Sequence, residues 1–295
     1  MGEKLTEAGP RVGLVVEGGG MKCAYSAGVL DAFLDEGIQF PYCVGVSAGS
    51  ANTASYLAGQ RGRNIRFYME HTQEPDYFGV RPYIHTRNAF NLEYIYGTLT
   101  NTGGRDPLDY DAVIKNPARF RIAATDAETG RPHYFEKTDM GPYDYRVIMA
   151  SCALPALCRP VQVGDRFYYD GGVSDAIPVQ RAFDDGCDRV VVILSKPRSF
   201  EMAPEKFHFA YSLACRKYPQ TVKALEKRHI MYRGQQKLMY RLESEGKAFL
   251  FNPSEDLRMS TYSMDPEANL VLYEQGIAHC RERCEELKRF MSGES

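Results

Sequence analysis

No apolar run in this 295-residue chain approaches the length needed to cross a bilayer; Val190-Val191-Val192-Ile193-Leu194 is the size of a strand. Neither sign of charge is in excess. The 36 Lys+Arg stand against 38 Asp+Glu, a formal net charge of -2, which argues against a general nucleic-acid-binding protein. The opening residues MGEKLTEAGPRVG include acidic side chains and no apolar stretch before Val12, so a secretory signal is not expected. The eight cysteines form no paired CxxC, and a chain this long needs no disulfide staples. Reduced thiols in a cytoplasmic protein are the expectation. Internal repeats and low-complexity segments are missing too. What is present, 44% hydrophobic and 25% charged residues, is the composition of a chain that buries a sizeable core.

Arg11 to Glu17 reads as a short Val-rich strand that runs into Gly18-Gly19-Gly20. Ala24, Ala27, Leu30 and Leu34 then recur at helical spacing, with Gly37 as a stop. The unit repeats: Tyr42 to Val46, the turn Ser47-Ala48-Gly49-Ser50, and a helix of small residues ending near Gly59. Two strand–turn–helix units in succession predict a parallel sheet with helices on its faces. Strands over Arg119–Thr125 and His133–Glu136 follow, then a helix over Tyr145–Ala153 and a hairpin through Gly164-Asp165. A short helix over Pro178–Asp185 leads into the buried strand Arg189–Ser195, where the sheet is expected to end. Residues 75–110 carry Tyr77, Phe78, Tyr83, Phe90, Tyr94, Tyr96 and Tyr110 without clean periodicity, as an insertion over one end of the sheet would. Beyond Pro197 the pattern is mostly helical, and from Lys206 to Arg241 nine basic residues face Glu226 alone.

Gly45-Val46-Ser47-Ala48-Gly49 is a G-x-S-x-G between a strand and a helix, the context in which that motif exposes a nucleophile. Side chains in place of Gly45 and Gly49 would collide at so tight a turn, and Ser47 Oγ is left exposed at a helix N-terminus. Gly18, Gly19 and Gly20 open the first helix with bare amides, suited either to a phosphate cradle or to an oxyanion hole. A G-x-G-x-x-G fingerprint fails at Cys23, and no Walker Gly-Lys-Ser/Thr follows. An oxyanion hole completed by the Ala48 N–H is the better use. Asp170-Gly171-Gly172 follows a strand end, which alone is an ordinary Asp-Gly turn. A triad would need His208, His229 or His279, and none stands on a loop just after a sheet strand, so a Ser–Asp dyad is favoured. In the terminal helix Tyr273, Ile277, Cys280, Cys284, Leu287 and Met291 share one apolar stripe, so the two cysteines pack; no metal or cofactor is expected.

GGGMK with Gly28-Val29-Leu30, GVSAG at 45–49, AATDAETG at 123–130, ASCALPALCRPV at 150–161 and DGG at 170–172 occur together in one order. In this the chain resembles the patatin-like phospholipase family, over residues 11–195. The resemblance implies a three-layer α/β/α sandwich with a mostly parallel sheet, a modified α/β-hydrolase, at 10–200, with a C-terminal helical region at 201–295 packed on it. It implies a serine acyl hydrolase of phospholipid, lysophospholipid or acylglycerol esters. Ser47 would be nucleophile and Asp170 base, with Gly171 and Gly172 supporting the site, and Gly18–Gly20 would supply the oxyanion hole; Lys22 either supports the site by steering anionic head groups or is a solvated helix-start lysine. Cys23 stands where the family usually keeps a glycine. The 75–110 aromatics then line or lid an acyl pocket, or fill a satellite core. The basic 206–241 stretch is either a docking face for anionic membranes or a set of solvated helix faces. The rival functions are a conventional Ser-His-Asp carboxylesterase and a silent lipid-binding protein of the same fold.

Overall fold

Eight strands form one sheet in the computed structural model, which describes residues 10–206, 208–254 and 264–293. Residues 1–9, the start of the stretch read against a secretory signal, lie outside the described residues. The strands are β1 (Val12–Val16), β2 (Tyr42–Val46), β3 (Arg119–Asp126), β4 (Pro132–Glu136), β5 (Val161–Val163), β6 (Arg166–Asp170), β7 (Arg189–Ile193) and β8 (Ala248–Phe251). Their order is β5-β6-β3-β2-β1-β7-β8, with β4 paired to β3 off this path. The run β3-β2-β1-β7-β8 is parallel, while β4, β5 and β6 pair antiparallel.

The central strands are apolar throughout because both faces are covered. Leu14 and Val16 of β1 point into one core, Val15 into the other. The larger core takes α1 (Ala24–Asp35), α2 (Ala48–Leu57), α3 (Arg63–Met69), α5 (Tyr110–Lys115), α6 (Arg146–Cys152), α10 (Pro266–Glu282) and α11 (Cys284–Ser292). The other takes α7 (Val179–Asp184) and the long α9 (Pro219–Ser244). Helices α4 (Val80–Thr86) and α8 (His208–Ala214) lie outside both cores. This is the three-layer sandwich expected. All eight cysteines are free and buried. Among the described residues no helix is long and apolar enough to cross a membrane.

The sheet does not end at Ser195. β8 adds a parallel strand beside β7, fed by α9 as a crossover helix. Four apolar residues between Gly246 and Pro253 are a weak signal next to a 26-residue helix, but their hydrogen bonds to β7 make them a strand. The terminal helix is also divided, at Arg283, though Cys280 and Cys284 stay on the buried side of the break. The 75–110 insertion contains α4 and a π-helical turn over Glu93–Leu99.

Helix α10 meets α1 backbone to backbone. A Cβ on Gly276 would lie 2.9 Å from Val29 N, and one on Gly28 would overlap the Tyr273 carbonyl. Tyr273 Oη donates to Asp31 Oδ2 at 2.8 Å and closes the same contact. Gly28→Ala is therefore expected to cost about 1–3 kcal/mol, because no flexible side chain is there to yield. Gly234→Ala, in open space on α9, should instead gain roughly 0.5–1 kcal/mol. Thermal melts of the two variants, shifting in opposite directions, check the pair.

Candidate active site

Ser47 joins β2 to α2 with φ 53° and ψ -133°, a left-handed conformation that side chains rarely adopt. The surrounding chain allows it only because bulk is missing at two points. A Cβ on Gly45 would lie 2.5 Å from Ser50 Cα, and one on Gly49 would lie 2.6 Å from Glu17 O. The two collisions differ. The first is with the start of the elbow's own helix, the second with the end of β1. Ser47 N donates to Ser151 Oγ at 2.8 Å, and Ser151 Oγ donates to Ala123 O at 2.6 Å, which ties the elbow to α6 and β3.

Ser47 Oγ donates to Asp170 Oδ2 at 2.6 Å, across 123 residues of chain. Both side chains are buried, at 8% and 3% exposure. Asp170 ends β6, where its N–H donates to Ala153 O, Thr125 Oγ1 donates to its carbonyl at 2.8 Å, and Gly172 N donates to its Oδ1 at 2.7 Å. Burial raises its pKa above the ordinary carboxylate value, opposed by the hydrogen bonds from Ser47 and Gly172 and by the charges of Arg228 and Lys196.

The glycine loop passes against the serine: a Cβ on Gly18 would lie 2.8 Å from Ser47 Cβ. Ala48 is the first residue of α2 and Gly20 opens a 3-10 turn, so their amides have no helical acceptor behind them. A buried Glu17 anchors the loop. Its carboxylate takes Ser195 N at 2.8 Å, Tyr232 Oη at 2.8 Å and the Lys196 ammonium, while Ser195 Oγ donates to Gly18 O at 2.7 Å. Cys23 is fully buried, its thiol pushed up to about 12 by desolvation, and Asn52 Nδ2 donates to its carbonyl at 2.9 Å.

Ser47 stands where two cavities meet. One holds about 640 Å³ of empty space with apolar walls from Met21, Phe67, Tyr77, Phe90, Ile95 and Leu154. The other, about 1080 Å³, is lined by Gly18–Gly20, Asp170, Lys22, Lys196, Arg228 and Glu205. Of the 75–110 aromatics, Tyr77, Phe90 and Tyr96 wall the apolar cavity, while Tyr83 is exposed. Lys22 is half-buried, its Nζ 5.9 Å over the Phe200 ring, and desolvation lowers its pKa. Gly171 and Gly172 are buried, Gly171 with room for no side chain beside Ala123 O. Among the described residues no histidine hydrogen-bonds Ser47 or Asp170. His208 pairs with Glu226 at 2.7 Å and His279 with Tyr25 Oη at 2.9 Å. Nor, among the described residues, does any group of His, Cys, Asp or Glu suit a metal ion.

Ser151, Glu17, Ser195 and Arg228 were not singled out from sequence. Glu17 and Lys196 each sit just past a buried strand, where a charged residue has to find a buried partner.

These features define an α/β/α sandwich with a serine on a strand–helix elbow, bonded to a strand-end carboxylate. The sequence model described as "Patatin-like phospholipase" matches residues 14–183, and the chain belongs to that family. A second, described as a domain of unknown function (DUF6363), matches residues 218–292. "Uncharacterized protein YjjU" of Escherichia coli is 31% identical over 67% of this chain and 55% of its own length. "Uncharacterized NTE family protein Mb1092c" of Mycobacterium bovis is 27% identical over 58% of this chain and 45% of its own. The chain thus spans about half the length of these two relatives. The solved chain described as "Crystal structure of VipD from Legionella pneumophila" aligns with a TM-score of 0.49 at 13% identity, covering 95% of this chain and 67% of that one.

Burial keeps Asp170 protonated to higher pH in the folded chain than in the unfolded one. The folded state therefore holds the extra proton above about pH 3.9, and ionisation costs stability as pH rises through the folded value. Asp170→Asn removes that cost. Its melting temperature should exceed that of wild type near neutral pH, with the gap closing as pH falls toward the ordinary carboxylate value. Melts across that range check it; a gap that ignores pH would refute the electrostatic account.

Proposed function

We propose that the chain is a serine acyl hydrolase of lipid carboxylic esters working through a Ser47–Asp170 dyad. The observation that carries this is the 2.6 Å Ser47–Asp170 hydrogen bond at the junction of an apolar and a polar cavity. A lipid ester has an apolar acyl part and a polar alcohol part, and its carbonyl lies between them.

Asp170 accepts the Ser47 proton as Oγ attacks the carbonyl carbon. Its raised pKa makes it a stronger base than a solvated carboxylate. The tetrahedral oxyanion rests on amides of the Gly18–Gly20 loop and of Ala48, each commonly worth about 3 kcal/mol in the transition state. Asp170 passes the proton to the departing alcohol, whose head faces Lys22 and Arg228. Water, activated by the same carboxylate, then releases the acyl group from Ser47. The acyl chain lies against Phe90, Ile95 and Leu154 meanwhile. No histidine takes part, which separates this reading from a Ser-His-Asp carboxylesterase.

The catalytic unit in this reading is residues 10–200, with 201–295 an integral part of the same body. The lipid ester is its partner, with peripheral membrane contact through the basic 206–241 stretch. Eight buried free thiols suit a reducing, cytoplasmic setting.

Ser47→Ala should abolish fluorophosphonate labelling and lower turnover of p-nitrophenyl acyl esters and phospholipids by roughly 10⁴ or more. Asp170→Asn should retain the fold and lose turnover by roughly 10³–10⁴. Replacing His208, His229 and His279 in turn should leave activity intact, and loss with any of them, the fold unchanged, would restore the triad. Full labelling of Ser47→Ala, or none of wild type, would favour the silent lipid binder. Separately, Ile95→Trp should fill the apolar cavity and shift preference toward short-chain esters, read as kcat/KM across a chain-length series.

A further inference from the structure

Six large apolar side chains stand in solvent on three helices: Val80, Tyr83 and Ile84 on α4, Phe209 and Leu213 on α8, and Ile230 on α9. Phe209 is 81% exposed and Ile230 62%. On α8 the arrangement is telling. Tyr211, on the opposite side, already packs against Val173 and Leu225, so Phe209 and Leu213 form a second apolar side with nothing over it among the described residues.

Helices α8 and α9 are linked directly, and α4 is joined to them through residues 154–159. His208 Nε2 and Glu226 Oε1, 2.7 Å apart, hold α8 to α9. Residues 154–157 and α8 wall a hollow of about 1130 Å³ that reaches Asp170. On its other side the same segment receives the loop after α4: Ala89 N donates to Leu157 O at 2.6 Å, and Arg159 N donates to Asn88 Oδ1 at 2.7 Å. Leu154 lines this hollow and both cavities at Ser47.

The exposed side of α9 supplies the charge. Lys223, Lys227, Arg233, Lys237 and Arg241 recur at helical spacing around Ile230, and Glu226 is committed to His208. Apolar side chains framed by a row of cations have the chemistry of a helix lying in an anionic bilayer surface, the apolar groups in the acyl boundary and the cations among head groups. A second copy of the chain fits less well, because a two-fold contact would set like-charged rows against each other.

We infer that α8 and the exposed side of α9, with α4 at the rim, form one docking face for an anionic bilayer surface, which sets the mouths of the Ser47 cavities against the lipid. This rests on the lipid-ester reading for what is delivered, but its test does not need turnover. The full chain is sedimented with vesicles of phosphatidylcholine alone and of phosphatidylcholine with phosphatidylglycerol. Wild type and Ser47→Ala should bind the anionic vesicles alike, and the neutral ones at least about tenfold less. Lys223→Gln with Lys227→Gln should weaken anionic binding roughly 25-fold, taking about 1 kcal/mol, or fivefold, per lysine near the surface. Phe209→Ser with Leu213→Ser should weaken it by a comparable amount while hydrolysis of a soluble short-chain ester is unchanged. Equal binding to both vesicle types, or unaltered binding by the two double variants, would overturn the inference. So would a doubling of mass in light scattering that Phe209→Ser with Leu213→Ser abolishes, since that assigns the face to a second copy. Absent ester turnover with docking intact would count against the dyad alone.

Discussion

A serine held at φ 53° costs roughly 1–3 kcal/mol of backbone strain, and it persists only because its surroundings over-determine it. Four separated parts of the chain do so. The β1 end presses on Gly49, Ser151 of α6 grips the amide of Ser47, the glycine loop packs on its Cβ, and Asp170 of β6 takes its hydroxyl. Ala123 of β3 anchors Ser151 in turn. Relaxing the turn would break several of these bonds at once, so the strain is locked in by the whole sandwich and not by local sequence.

Charge around the site follows the same economy of partners. Glu17 would be costly as a lone buried anion, but three donors surround it, and one of them is an ammonium. Through Ser195 that cluster also fixes the carbonyl of Gly18. Asp170 is treated differently. It has two hydrogen-bond donors and, among the described residues, no salt bridge, so desolvation outweighs the charges of Arg228 and Lys196 and its pKa rises. One carboxylate is saturated to hold structure; the other is left under-compensated, which suits the base role proposed for it.

Much of this was legible in the sequence. The strand–turn–helix repeats predict Ser47 and Gly18–Gly20 in the turns that follow two parallel strands, and the structure has Gly18 against Ser47. The distance from Ser47 to Asp170 was not legible, because Asp170-Gly171-Gly172 by itself is an ordinary turn; only the family pattern singled it out. β8 was missed because four apolar residues after a long polar helix look like a loop until a neighbouring strand accepts their hydrogen bonds. Residues 75–110 gave no periodicity because they wall a cavity on one side and meet water on the other, which sets no repeat of 2 or 3.6. The partners of Ser151 and Glu17 were not legible for a plainer reason: they lie 104 and 178 residues away.

The glycine contact between α1 and α10 has a mechanical side. The glycine loop is the lead-in to α1, and α1 is clamped along its length by a helix from the far end of the chain, with Asn269 reaching past it to Tyr68 O. Where two backbones touch without side chains between them, there is no compressible padding. At Gly28 and Gly276 neither helix can move toward the other without pushing its backbone. The C-terminal segment, which carries no residue bonded to Ser47 or Asp170 among those described, thereby buttresses the helix into which the glycine loop leads.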